Sequence, residues 1–265
     1  MDKINNLYAY LTRMDAALAD KCWWLDYIDS DIDTVIDFGC AAGSLHDMIN
    51  LLAPNEYNYF GVDNSAEMRA LCAEKCIQVY ETLDEVLPQI NPDKTVLIMN
   101  SVIHEILSYS DTYMALFHKI NEANFKHIAI REMYIDDEYI ILPNKDRLIE
   151  TIEHSSYADK WKEFKWTVEH NRWGDYLNPN VYITEFLLKY WYTENWNREC
   201  KEQYLWNWEK FFLKTKDYDA MSYYIAYQET FKIPYVINKI YKDFKYGLPK
   251  NTHKKLLLTN IKFLH

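Results

Sequence analysis

The apolar positions of this chain follow two rhythms in turn, one of helical period and one of short unbroken runs. Leu7, Leu11, Met14 and Leu18 recur at helical spacing, which predicts an amphipathic helix over roughly the first 20 residues. A short helix around Trp23–Ile28 follows. Thr34–Phe38, Tyr57–Val62, Ile77–Tyr80, Thr95–Met99 and His127–Met133 are β-branched or apolar runs with the length of buried parallel strands. Between them Ser44–Leu52, Ala66–Lys75, Leu83–Ile90 and Thr112–Ala123 carry helical patterns. This alternation predicts right-handed βαβ units and a parallel-rich sheet.

Past about residue 137 the alternation stops. Residues 157–212 hold seven of the nine tryptophans and many tyrosines, and Ile183–Trp191 and Arg198–Phe212 look helical. The stretch is too long and too patterned for a loop, so a helical insertion is expected, with Trp191, Trp206 and Trp208 in its own core. Ser222–Tyr227 and Lys254–Thr259 read as strands on either side of a helix around Tyr235–Phe244.

Only five glycines occur, at 39, 43, 61, 174 and 247, so their placement is informative. Val35-Ile36-Asp37-Phe38-Gly39-Cys40-Ala41-Ala42-Gly43-Ser44-Leu45 is a strand running into a turn that opens a helix. Glycine in such a turn lets backbone approach a ligand, and the helix start behind it offers free N–H groups. A dinucleotide site asks for GxGxxG, with a pyrophosphate on the helix end. This chain has DxGxxxG, and Asp37 would repel a pyrophosphate but attract a cation such as the sulfonium of S-adenosylmethionine. The second strand ends Phe60-Gly61-Val62-Asp63-Asn64-Ser65. Asp63 falls 20 residues after Gly43, the spacing at which an acid accepts hydrogen bonds from ribose hydroxyls.

VIDFGCAAGSL and YFGVDNSAEM resemble the first two motifs of the class I S-adenosylmethionine-dependent methyltransferases, over about residues 33–135. The resemblance implies S-adenosyl-L-methionine as cofactor, with Asp37, Gly39, Cys40, Ala41 and Gly43 around the turn and Asp63 and Asn64 at the ribose. It further implies Thr82, Leu83 and Asp84 near the adenine, and Asn100 and Ser101 facing the methionine end and the acceptor. Cys40 and the Ala41-Ala42 pair depart from the family pattern but are small, and Asn100 replaces an acid often found there. The expected fold class is α/β, a Rossmann-like class I methyltransferase sheet with a mainly helical, aromatic-rich insertion before the terminal strands. The expected organisation is N-terminal helices over 1–32, a cofactor-binding core over 33–137, a helical cap over 138–218, and a terminal helix and strands over 219–265 completing the core. The activity implied is methyl transfer. The alternative is a cofactor-binding subunit without catalysis.

Met99-Asn100-Ser101-Val102-Ile103-His104-Glu105-Ile106-Leu107-Ser108-Tyr109 follows the fourth strand at the sheet edge where ligands of α/β proteins bind. His104, Glu105 and Tyr109 are the candidate catalytic residues, and His104 has an ordinary pKa suited to taking a proton from an acceptor. The competing reading is that His104 caps the following helix and Glu105 is a solvated acid. Arg131 and Glu132 end the fifth strand, as functional groups or as an ion pair covering the sheet. His46, Asp47, His104 and Glu105 have no recognised zinc spacing, so no metal is expected. Trp161, Trp166 and Trp173 are candidates to line an acceptor pocket, against a packing role in the cap.

Charge decides what the acceptor can be. The net −11 divides unevenly, with 10 basic and 24 acidic residues in 1–145 against 19 and 16 in 146–265. From Lys232 onward there are eight lysines and one acid, Asp243. A small-molecule acceptor suits the acidic front half, and RNA remains possible through the lysine-rich C-terminal segment. The five cysteines are scattered with no CxxC pair, there is no signal-peptide pattern, and no apolar run is long enough to cross a membrane. A cytoplasmic location is therefore expected. The sequence carries no sign of an oligomeric state.

Overall fold

Successive residues of a strand face opposite sides of a sheet, so strands apolar at every position must be covered on both faces. The computed structural model, which describes residues 6–53, 55–135, 142–170, 178–206, 208, 223–248 and 250–263, meets that requirement with a layer of helices on each side. The strands are β1 Thr34–Phe38, β2 Asn58–Val62, β3 Val79–Tyr80, β4 Thr95–Asn100, β5 His127–Met133, β6 Tyr223–Phe231 and β7 His253–Asn260. They form one sheet in the order β3-β2-β1-β4-β5-β7-β6. The first five are parallel, and β7 enters antiparallel between β5 and β6.

The helices are α1 Leu7–Asp15, α2 Leu18–Lys21, α3 Ser44–Leu52, α4 Ala66–Glu74, α5 Leu83–Val86, α6 Ile103–Tyr109 and α7 Tyr113–Ala123. Then come α8 Lys145–Glu153, α9 Ala158–His170, α10 Pro179–Lys189, α11 Trp196–Lys201 and α12 Pro234–Phe244. On one sheet face Ile36, Leu97, Met99, Ile128 and Ile130 pack against α5, α6 and α7. On the other, Val35, Tyr59, Val96, Ile98 and Ala129 pack against Trp23, Trp24, α3 and α4. The alternation of Val35 with Ile36, and of Val96 with Leu97, is the strand period seen in three dimensions.

Helices α8 to α11 form the aromatic insertion, with Trp161, Phe164, Phe186, Tyr190 and Trp196 at the centre of their own core. Val236, Ile240 and Phe244 of α12 join that core rather than the sheet. Two expectations need correction. The helix proposed for Arg198–Phe212 stops at Lys201, because Glu202 turns extended and the next peptide groups bond to side chains. Gln203 N–H donates to Ser108 Oγ at 3.0 Å and Leu205 N–H to Glu185 Oε1 at 2.5 Å. Trp206 and Trp208 consequently lie in the sheet core, where the Trp208 indole N–H donates to Met133 O at 2.9 Å. Residues 209–212 and Ser222 lie outside the described residues. Among the described residues no helix is long and apolar enough to cross a membrane.

Candidate functional site

Strand β1 has β2 on one side and β4 on the other, so the chain's winding reverses at its carboxyl end. A crevice opens at such a point in open α/β sheets. Here it is a cavity of about 410 Å³, walled by Gly39, Ala41, Asp63, Asn64, Asn100, Ser101 and Tyr109 and roofed by Tyr10 and Met14 of α1. Its size lies in the ordinary range for small-ligand sites, ~300–1,000 Å³.

The turn after β1 is fixed from below. Cys72 and Lys75, at the end of α4, donate to the carbonyls of Ala41 and Ala42 at 3.2 and 2.9 Å. Gly39 has φ +78°, and a Cβ there would come within 2.6 Å of Val102 Cγ2. Ala41 N–H donates to Asp63 Oδ2 at 2.9 Å and Ser65 N–H to Oδ1 at 2.8 Å. Asp63 is thereby held at the cavity wall, and burial raises its pKa. Asn100 is buried, with neither its amide nitrogen nor its oxygen bonded among the described residues.

Other expected cofactor residues lie elsewhere. Asp37 is buried behind the turn, where it accepts from the Tyr59 hydroxyl at 2.6 Å. Burial pushes its pKa to about 6 in spite of that bond. With Cys40 it lines a recess of about 30 Å³ rather than the cavity. The space above Gly43 is filled by Ile77 and Cys72, not by the cavity. Leu83 is packed in the sheet core, and Asp84 is an exposed partner of Lys119. Strand β3 ends at Tyr80, so Glu81 is the residue that reaches the cavity wall, with Arg69 paired to it at 2.9 Å.

A second chamber of about 170 Å³ adjoins the first, and Tyr10, Met14, Ser101, Glu105 and Arg198 line both. His104 and Glu105, from the first turn of α6, face this smaller chamber. Glu132 is fully buried and caps that helix, accepting from Ile103 N–H at 2.8 Å and from His104 Nδ1 at 3.0 Å. Burial disfavours a charged His104, but the charge and hydrogen bond of Glu132, with Glu105 and Glu202, raise its pKa to about 9. Burial and then the charge of Glu202 push Glu105 up to about 7, against the pull of Arg198. Arg198, on α11, pairs with both acids. Arg131 and Glu132 have different partners, Asp20 at 2.7 Å and the α6 cap respectively, so they are not an ion pair over the sheet.

Sequence reasoning missed Arg198, Glu199, Glu202 and Tyr204, because cap residues distant in sequence carry no motif. The aromatic groups of the smaller chamber are Tyr10, Tyr192, Tyr204 and Tyr235. Trp161 is instead cap core, Trp166 is 62% exposed, and Trp173 lies outside the described residues. The C-terminal lysines are mostly engaged. Lys255 pairs with Asp20 at 2.5 Å, Lys239 with Asp243 at 2.9 Å, and Lys262 with Asp93. Lys232 donates to Leu248 O, and Lys254 is buried over the Tyr134 ring at 4.9 Å.

The chain aligns over 96% of its length with all of an S-adenosylmethionine-dependent methyltransferase from Archaeoglobus fulgidus, at 14% identity and a TM-score of 0.51. The fold is that of the S-adenosylmethionine-dependent methyltransferases. A second solved structure of this fold is the plantazolicin methyltransferase BamL, in complex with a triazolic desmethylPZN analogue and SAH. It matches 96% of this chain and 88% of its own at 9% identity and a TM-score of 0.50. No protein-family model and no curated protein matches the sequence. In this methyltransferase fold the larger cavity lies at the carboxyl ends of β1, β2 and β4, and the smaller lies between α1, α6 and the cap.

Proposed function

We propose that the chain is an S-adenosylmethionine-dependent methyltransferase acting on a small molecule. The observation that carries this is the buried Asn100 amide, unbonded among the described residues and lining the larger cavity together with Asp63, next to a separate chamber under the cap. A buried amide left unbonded costs ~1–3 kcal/mol, which the amino-acid end of the cofactor would recover. Each Asp63 oxygen holds one backbone N–H and keeps lone pairs for a ribose hydroxyl. The residues therefore fit the cofactor. Bound there, it supplies a methyl group on a cationic sulfur that needs no further activation. In this reading the seven strands with α3 to α7 make the cofactor core, α8 to α12 the cap and α1 the roof.

The protein's own work is alignment and exclusion of water. Glu105 stands where the two chambers meet, and its pKa near 7 suits it to accept a proton that an acceptor sheds on methylation. His104, with a pKa of about 9, is a cation at neutral pH, so it donates a hydrogen bond rather than acting as base. Tyr109 lines the larger cavity. A small acceptor is favoured over RNA because the chamber is narrow and the C-terminal lysines answer acids or carbonyls of their own chain.

Calorimetry with S-adenosylhomocysteine and with NAD tests the cofactor. Binding of the first and not the second is expected, and NAD binding with no response to S-adenosylhomocysteine would overturn the reading. Tritiated-methyl transfer to pooled metabolites, RNA and protein then identifies the acceptor class.

A further inference from the structure

The geometry points to an acceptor that carries a single carboxylate, received by Lys21 and Arg131 at the sheet end of the smaller chamber. This rests on reading that chamber as the acceptor site. Both side chains line it, and Arg131 lines neither the larger cavity nor the recess beside the turn.

Lys21 closes α2 and is only 8% exposed. Its ammonium donates to Met14 O at 3.1 Å and makes no ion pair among the described residues. Arg131 is 4% exposed, and its hydrogen bond among the described residues runs from Nε to Asp20. Among the described residues its other guanidinium donors make no hydrogen bond, and the group lies 5.4 Å from the Phe231 ring. Asp20 is itself divided, since its other oxygen takes Lys255 at 2.5 Å.

Lys255 also meets Glu229 at 3.5 Å, and the remaining charged groups leave Lys21 without an ion-pair partner among the described residues. Glu132 is committed to His104 and the α6 cap, Asp37 to Tyr59, and Asp15 is exposed. His253 lines the same end, and burial with the charge of Arg131 lowers its pKa to about 3, so it is neutral. Burial and Arg131 also lower Lys21 to about 8, as expected of an ammonium lacking a counter-ion.

A buried cation requires a partner, and a planar fork beside a point charge matches the two oxygens of a carboxylate. A dianion would overshoot. The far wall already sets Glu105, Glu199 and Glu202 against Arg198, with Arg13 paired to Glu194 and His104 to Glu132.

The test is titration of the protein, with and without saturating S-adenosylhomocysteine, with propionate, its neutral isostere propionamide and inorganic phosphate. Propionate should bind saturably and about tenfold or more tighter than propionamide, the scale of a charged hydrogen bond. Lys21→Met should erase that preference while keeping the thermal melt and the S-adenosylhomocysteine affinity, and Lys21→Arg should retain it. Affinity for propionate should fall as pH rises through about 8, where Lys21 loses its proton. Propionate binding no tighter than propionamide, or a preference that survives in Lys21→Met, overturns the assignment. So does phosphate binding tighter than propionate. If Lys21→Met weakens S-adenosylhomocysteine but not 5′-methylthioadenosine, Lys21 serves the cofactor's own carboxylate and the assignment is likewise wrong. Failure of the wild type to bind S-adenosylhomocysteine strikes the methyltransferase reading instead, while the propionate comparison on the unloaded protein still stands.

Discussion

Replacing Gly43 with alanine separates two reasons for a glycine at the end of the β1 turn. Gly43 precedes α3 with φ +73°, and a Cβ would come within 2.6 Å of Ile77 Cδ1 and 3.2 Å of Cys72 Sγ. A left-handed backbone costs alanine ~1 kcal/mol. Forcing a methyl into a filled site costs a further ~1–3 kcal/mol. Gly43→Ala should therefore destabilise the fold by about 2–4 kcal/mol. Ile77→Val deletes the obstructing atom at its own cost of ~0.5–1.5 kcal/mol. With the obstruction gone, the double variant should be more stable than the sum of the single losses by about 1–2 kcal/mol. Urea unfolding of the four proteins at one pH measures the cycle, and calorimetry on the folded variants should return near-native S-adenosylhomocysteine affinity. Strict additivity would mean that Ile77 is not the obstacle. Undiminished stability with lost cofactor affinity would show that the glycine serves ligand approach, and the packing argument would fail.

Asp63→Ala should weaken S-adenosylhomocysteine by ~1.5–3 kcal/mol by calorimetry. An unchanged affinity in the folded variant removes Asp63 from the site. Glu105→Gln should lower turnover and abolish its rise with pH through about 7, with cofactor affinity kept. A pH profile that survives the change sinks its role as proton acceptor. His104 has a folded pKa of about 9 against an ordinary ~6.5, so its stabilisation is complete below ~6.5 and is lost as pH rises through 9. Unfolding midpoints at pH 6 and 9.5 should differ less in Glu132→Gln than in the wild type, and an equal difference would argue against the coupling. Retention of a labelled RNA pool should be weak and barely salt-dependent, whereas a log–log slope of several contacts at about −0.7 each would favour RNA.

The part of the site that was legible in the sequence is local. A strand, a glycine turn, a helix and a second strand with a terminal acid lie within 31 contiguous residues, from Thr34 to Asn64, so their spacing alone aligned Gly39, Ala41 and Asp63. Strand β3 ends at Tyr80, as the run Ile77–Tyr80 predicts, but the turn after it brings Glu81 to the cavity wall. Leu83 opens α5 and packs into the sheet core, and Asp84 faces Lys119. Gly43 and Asp37 belong to the motif by position, but what occupies the space around them depends on Ile77 and Tyr59 from other strands and turns. Arg198 was invisible for a stronger reason. It meets Glu105 across 93 positions, on a helix whose end was expected eleven residues later, at Phe212 rather than Lys201. Of the tryptophans considered for a pocket, Trp161 packs in the cap core and Trp166 is exposed. The chamber's aromatic wall is made by Tyr10, Tyr192, Tyr204 and Tyr235, each with one polar end.

Helix α1 has no buried residue, yet its Tyr10 and Met14 cover both chambers. It is fastened at the rim, by Arg13 to Glu194 and by Arg13 over the Tyr192 ring at 4.2 Å. Lys21 holds its Met14 carbonyl and Arg198 lies over its Tyr10 ring, so releasing this one helix would uncover both compartments together. Under the proposed methyl transfer, spent cofactor and methylated product would share an exit, which would link their departures in time.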